Sequence, residues 1–250
     1  MRRTTRALQG PPPVFFVMKL CLLGLPEIKP GKINIKDPRL DEADRLVEAK
    51  KKTYAQVDAV GEEGLATAEA VLTTVEGRAD LILRDLELVE TRLSRGPAEM
   101  EARVLEKLRG LLEAETLLSQ AGLTAEEWEA VHAHQFLTLK PVIVAGEAEK
   151  NDPDALIVRA VREGGYISFL TVGGKENRAW LIRQGTTAWE AAGVIHSDIQ
   201  KGFIRAEIIS YADFIEAGGE TEAKRAGKLR LETKTYVMQD YDLVNFRFNK

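Results

Sequence analysis

Residues 185–209, GTTAWEAAGVIHSDIQKGFIRAEII, and residues 226–248, AGKLRLETKTYVMQDYDLVNFRF, decide how this chain is read. The first string opens on a helix over Thr187 to Ala192, with Trp189 available to pack, and closes on an apolar strand from Phe203 to Ser210. The second supplies strands over Thr235 to Met238 and Leu243 to Phe248. Just upstream, two β-rich runs, Tyr166 to Val172 and Arg178 to Arg183, flank a Gly-Gly-Lys-Glu hairpin signal. A strand pair, a helix and returning strands make an α+β unit over residues 165–250.

This run from Tyr166 to Lys250 closely resembles the TGS-type β-grasp (ubiquitin-like) domain that ends the Obg-like ATPase (YchF) family. TGS domains occur in ribosome- and tRNA-associated proteins, so the resemblance implies contact with the ribosome or RNA. A net charge of -4 gives no whole-chain attraction to nucleic acid, so such contact needs a local basic patch. The candidates are Arg183, Lys201, Arg205, Lys228 and Arg230, because basic side chains dominate phosphate affinity. The same residues are also what an ordinary solvated surface carries. Thr233 and Tyr241 stand where the family has turn glycines, and left-handed backbone costs a non-glycine residue roughly 1 kcal/mol. His196 has no nucleophile or second base beside it and reads as a hydrogen-bonded structural residue.

Whether the family's nucleotide machinery is attached turns on three places upstream. MKLCLLGLP from Met18 resembles the first strand of the nucleotide domain, where the family continues into a phosphate loop. That loop needs backbone N–H groups curled around the β-phosphate, a lysine on the β/γ oxygens and a Ser or Thr on Mg²⁺. Gly24 and Pro26 are present, but Glu27, Ile28 and Lys29 follow. The one Gly-Lys pair, Gly31-Lys32, lies six residues beyond Gly24 where the loop takes four, and Ile33 cannot bind magnesium. PGKINIKDPRLD, residues 30–41, is similar to a family segment well downstream of the loop. First strand and downstream segment are therefore joined directly, as a deletion would leave them. Residues 50–61, KKKTYAQVDAVG, resemble the strand leading to D-x-x-G, with Asp58 and Gly61 in the right spacing and no switch region after them. FLTLKPVIVA, from Phe136, resembles the returning strand before the base-reading N-x-x-E, but Gly146-Glu147-Ala148-Glu149 follows it.

Between these segments the sequence turns helical from about Leu65 to Leu93, with Leu72, Val75, Ala79, Ile82, Leu86, Val89 and Leu93 on one stripe. Gly96-Pro97 breaks it, and a second stripe runs from Met100 to Leu118, which predicts an antiparallel hairpin. Thr124 and Glu127 read as a capping box. His132 and His134, two residues apart, face different ways on a helix and do not share a metal. Asp154 to Glu163 reads as a linking helix.

Charged residues at 30% and hydrophobic ones at 44% describe a soluble globular chain, and the lone Cys21 excludes an internal disulfide. Residues 1–17 are expected to be a disordered extension, with translation starting at Met1 or at Met18. The apolar run into Leu25 is interrupted by Lys19 and lacks a cleavage site, so it reads as a strand rather than a leader. The expected architecture is α+β. Residues 18–64 and 122–164 form a remnant α/β P-loop-type domain, residues 65–121 a helical hairpin, and residues 165–250 a TGS β-grasp domain. No catalytic or metal site and no cofactor are expected, and the location is cytoplasmic without membrane contact. The role is binding, to ribosome or RNA through the C-terminal domain and to protein through the hairpin. The alternative is a residual ATPase holding ATP or GTP with magnesium through Gly24, Lys29, Lys32 and Asp58.

Overall fold

The computed structural model describes residues 17–249. The expected N-terminal extension therefore lies, but for Val17, outside the described residues. The chain forms two units, the first of residues 18–37 and 56–166, the second of residues 38–55 and 167–249. Sequence boundaries placed residues 38–55 with the nucleotide-type half, whereas here they group with the C-terminal segment.

The first unit begins with β1 (Lys19–Leu23) and β2 (Gly31–Asn34). Next in the chain, α1 (Pro38–Leu46) and β3 (Lys51–Thr53) belong to the second unit. The first unit resumes with β4 (Gln56–Val60), β5 (Ala70–Thr73), α2 (Val75–Leu93) and α3 (Glu99–Glu113). It ends with α4 (Ala125–Val131), β6 (Val142–Val144) and α5 (Pro153–Glu163). Its sheet runs β2-β4-β1-β5-β6. The last four strands are mutually parallel, and β2 is antiparallel to β4. Central β1 is a continuous apolar run because helices cover both faces of such a sheet; Leu20 and Cys21 are fully buried.

Two expectations fail here. The helix does not start near Leu65: Ala70–Thr73 is a fully buried strand, and Leu72 belongs to it. The start is set by Thr74, whose side chain accepts the Gly77 N–H as N-cap. Val75, placed on the apolar stripe by spacing, is 62% exposed. Likewise residues 50–61 are two strands, broken at Tyr54-Ala55, each in a different sheet.

The second stripe is shorter than expected: α3 ends at Glu113, so Leu117 and Leu118 lie beyond it, and Met100 is 38% exposed. Gly96 takes φ +67 between α2 and α3. Ile82 and Val89 then pack with Val104, Leu105, Leu108 and Leu112 in one core cluster that also takes in Val131 and Phe136. Burial of each such side chain contributes about 2 kcal/mol. Thr124 and Glu127 form the expected capping box.

The second unit continues with β7 (Tyr166–Thr171), β8 (Glu176–Arg183), α6 (Ala188–Ile195), α7 (Ser197–Lys201) and β9 (Phe203–Ile209). Then follow α8 (Tyr211–Ala217), α9 (Glu220–Arg225), β10 (Arg230–Glu232) and β11 (Leu243–Phe248). The sheet runs β10-β9-β11-β7-β8-β3. Alternation sends Phe169, Ile182, Ala206, Ile208, Val244 and Phe246 to one face, where Ala188, Ala191 and Ala192 of α6 close the core. The strand expected over Thr235 to Met238 is reduced to one isolated bridge, Thr187 to Val237. Helices α8 and α9 and strand β10 went unread, each being too short for a periodic signal.

Tyr241 adopts φ +64 and Thr233 does not share that geometry, so one of the two glycine replacements is accommodated without strain. At Tyr241 the cost is offset by contacts. Arg39 of α1 lies 3.6 Å over its ring, Tyr211 meets it edge-on, and Arg39 also pairs with Asp240 at 2.8 Å. Together with the parallel pairing of Lys51 to Glu176 and Thr53 to Arg178, these contacts explain why residues 38–55 belong to this unit.

Candidate functional site

In an open parallel sheet, ligands gather where the strands end at their carboxyl edge. In the first unit that edge is built from the loops after β1, β4, β5 and β6. After β1 the chain passes through Gly24 to Pro30 and straight into β2, with no intervening helix. Gly24 takes φ +72, and a Cβ there would touch the Thr74 side chain at 3.4 Å. Lys29 and Lys32 are exposed; Lys32 stands across from half-buried Asp58 in the β2–β4 register.

Several groups that could receive an anion at this edge are already occupied, Lys29 and Lys32 excepted. The Gly61 N–H donates to Glu63 Oε1 at 3.2 Å, and the Gly146 N–H donates to Glu149 Oε2 at 2.8 Å. The first turn of α2 is closed by Thr74. Arg84 pairs with Glu62 at 2.6 Å and with Asp80 at 2.8 Å. Lys150 pairs with Glu147 at 2.6 Å, which holds its ammonium protonated above the ordinary lysine range, with Glu27 and Glu76 adding to the effect.

Beneath the edge, burial governs the titratable groups. Desolvation pushes the Cys21 thiol up to about 11, leaving it an inert core residue. Asp85, 1% exposed, accepts from the N–H groups of Leu137 and Thr138 and from the Thr138 hydroxyl at 2.7–2.8 Å. Burial raises its carboxyl above the usual aspartate range, those hydrogen bonds pulling the other way. His132 is exposed, and His134 instead meets Glu101 at 2.8 Å. Among the described residues no three His, Cys, Asp or Glu side chains converge as a metal cluster, and no helix is long and apolar enough to cross a membrane.

The basic candidates of the second unit fall into two groups. Lys228 is committed to Asp213 at 2.9 Å, and Arg230 to the Tyr236 hydroxyl at 3.1 Å with Glu232 and Asp242 at 3.8 Å. Arg183, at the end of β8, is exposed and partnered. Lys201 closes α7 and Arg205 lies four residues on, in β9; both are exposed, and among the described residues neither has an ion-pair partner. His196 caps α7 by accepting the Asp198 N–H at 3.1 Å, the structural part expected of it.

Three residues that the sequence reading passed over complete this end of the sheet. Arg247 stands across from Arg205 in the β9–β11 register and donates to Glu207 at 2.9 Å. A register shift there leaves Ile204, 53% exposed, without a cross-strand partner. Phe248, 36% exposed, lines a concavity with His196, Ile199 and Lys201. The alternation of N-F-R-F could have placed Arg247 opposite the buried face; the bulge has no sequence signal.

A five-stranded mixed sheet with a helical pair, joined to a six-stranded mixed sheet, defines a two-unit α/β protein. Residues 166–249 match the family YchF-GTPase_C, described as a protein of unknown function (DUF933). The ribosome-binding ATPase YchF of Bacillus subtilis is 31% identical over 270 residues, covering 78% of this chain and 74% of that protein. That of Haemophilus influenzae is 34% identical over 232 residues, covering 68% of this chain and 64% of that protein. The solved structure of the Schizosaccharomyces pombe YchF GTPase shares the fold, with a TM-score of 0.70 at 20% identity over 92% of this chain and 98% of that one. The chain belongs to the YchF family. It spans about two thirds of the length of several curated relatives, 64% for that of Haemophilus influenzae.

Proposed function

We propose that this chain is a non-catalytic YchF relative that binds the ribosome through a TGS-type C-terminal domain. The observation that carries the reading is the carboxyl edge of the five-stranded sheet. There no phosphate-loop helix lies between β1 and β2, and Glu63 and Glu149 take the Gly61 and Gly146 N–H groups. The alignment with the Haemophilus influenzae relative agrees: it runs over 232 residues, while 68% of this 250-residue chain is about 170, so some 60 positions have no counterpart here. Losses on that scale fit the deletion of loop and switch elements rather than their substitution. Ribosome binding is carried over from what the relatives are named for, and the domain they share with this chain includes the uncompensated cations Lys201 and Arg205. The protein then works in the cytoplasm, with α2 and α3 available to a protein partner.

Equilibrium binding of a fluorescent ATP analogue, with and without Mg²⁺, tests the first half. No saturation up to about millimolar, where binding is worth only some 4 kcal/mol, is the expected result. Magnesium-dependent micromolar binding would restore the alternative of a residual ATPase built on Gly24, Lys29, Lys32 and Asp58. Co-sedimentation with ribosomes, weakening steeply as salt rises, tests the second half.

A further inference from the structure

We propose that strand β10 is the contact through which two copies of this chain pair, edge to edge and antiparallel, about a two-fold axis at Leu231. Such pairing does not depend on the ribosome-binding reading. Strand β10 is the last in the order β10-β9-β11-β7-β8-β3, so one side of it has no neighbouring strand. Among the described residues no further backbone hydrogen bond reaches Arg230, Leu231 or Glu232 from that side. A row of unmatched N–H and C=O groups is open to pairing with another strand. The register fixes which side chains lie on which face. Arg230 and Glu232 stand across from Ile208 and Ala206, which face the α6 core, and Leu231 stands across from Glu207 on the other face. There Leu231 is 57% exposed, an apolar side chain left largely uncovered.

The strand's own charges name the occupant. Reversed against itself about Leu231, Arg-Leu-Glu sets Leu231 beside Leu231 and Arg230 beside Glu232 on both flanking rungs. Apolar pairs and opposite charges directly across an antiparallel ladder stabilise it. A parallel pairing in register would set arginine on arginine and glutamate on glutamate. Both charges have capacity left within the single chain. Arg230 donates to the Tyr236 hydroxyl at 3.1 Å but reaches the carboxylates of Glu232 and Asp242 only at 3.8 Å. No other cation pairs with Glu232 among the described residues. Beyond the strand Lys228 would approach Lys234, but Asp213 already holds Lys228 at 2.9 Å. A foreign strand without this charge order would leave Arg230 and Glu232 unmatched, and a nucleic acid would meet only repulsion from Glu232. Three rungs bury less than the roughly 1,000 Å² of a stable interface, so the pair forms only at high concentration.

Facing Cα atoms on antiparallel rungs lie about 4.5–5.5 Å apart, within the span of about 4.4–6.8 Å that a disulfide bridges. Leu231→Cys in the full chain, held at high concentration with oxidised glutathione, should therefore give a covalent dimer. Thr233→Cys, exposed and two residues on, would lie about 13 Å from its counterpart and should give none. The wild type should stay uncrosslinked, because its lone Cys21 is buried. Sedimentation equilibrium of the wild type should show a reversible monomer–dimer system with no larger species, since a two-fold contact is closed. Glu232→Lys puts like charges on both flanking rungs and should raise the dimer dissociation constant at least about tenfold. Its melting temperature at low concentration should stay that of the wild type. A wild type still monomeric at about millimolar concentration overturns the proposal, that being an affinity of negligible worth. Equal cross-linking at Thr233→Cys, failure of Leu231→Cys to trap a dimer, or a Glu232→Lys dimer as tight as the wild type would each overturn it as well.

Discussion

The carboxyl edge of the five-stranded sheet and the end of the six-stranded sheet handle polar groups in opposite ways. At the first, glycine N–H groups are met by Glu63 and Glu149, Arg84 by Glu62 and Asp80, and Lys150 by Glu147. At the second, Arg205 faces Arg247, and Glu207 serves only the latter. One region meets its polar groups from within the fold; the other leaves Arg205 without an ion-pair partner among the described residues.

The largest effect should come from the self-contained region. Asp85→Ala leaves the Leu137 and Thr138 N–H groups buried without an acceptor, and should cost about 3 kcal/mol in urea unfolding. A loss under 1 kcal/mol would mean that water or a shifted turn replaces the carboxylate. In the second unit, Tyr241→Gly removes left-handed strain of about 1 kcal/mol but also the ring that Arg39 and Tyr211 pack against. Net destabilisation of about 2 kcal/mol is expected, and net stabilisation would show that the family's glycine is the better residue here.

Smaller effects separate the regions by charge. Glu207→Gln leaves Arg247 without its carboxylate and should cost about 1 kcal/mol in urea unfolding. An unchanged midpoint would mean that solvent screens the pair. The two regions should also titrate in opposite senses. Asp85 is raised above its ordinary value, mainly by burial, so its contribution is full below the usual aspartate range and is lost as pH rises through the raised value. Glu207 is lowered, chiefly by its hydrogen bond from Arg247, so its contribution is present above the usual glutamate range and is lost as pH falls through the lowered value. Stability against pH for Asp85→Asn and Glu207→Gln should lose opposite limbs of the profile. Cys21, its thiol pushed up to about 11, should resist alkylation in the native state and react on unfolding.

Much of this was legible from local chemistry. The helix cap at Thr124, the turn at Gly96 and the alternation in Leu243 to Phe248 depend on neighbours within a few residues, and sequence states those directly. The start of α2 was misplaced because Leu72 fits a helical stripe and a buried strand equally well. The split of residues 50–61 depends on partners far away in the chain, β8 for one half and β1 for the other, which no window could contain. For the candidate surface, Lys201 and Arg205 were visible as exposed cations. What distinguished them from Lys228 and Arg230 was the set of carboxylates that folding brings near, and that set is a tertiary property.

Strand β3 pairs with β8, which lies more than a hundred residues later in the chain. During synthesis it must therefore wait, unpaired, while the whole first unit emerges, and the second sheet closes only near the end of translation. A bare strand is a hazard in that interval, and Lys51 and Lys52 make this one a poor template for another chain. The same two lysines that look unremarkable on the finished surface protect the nascent protein from its own neighbours.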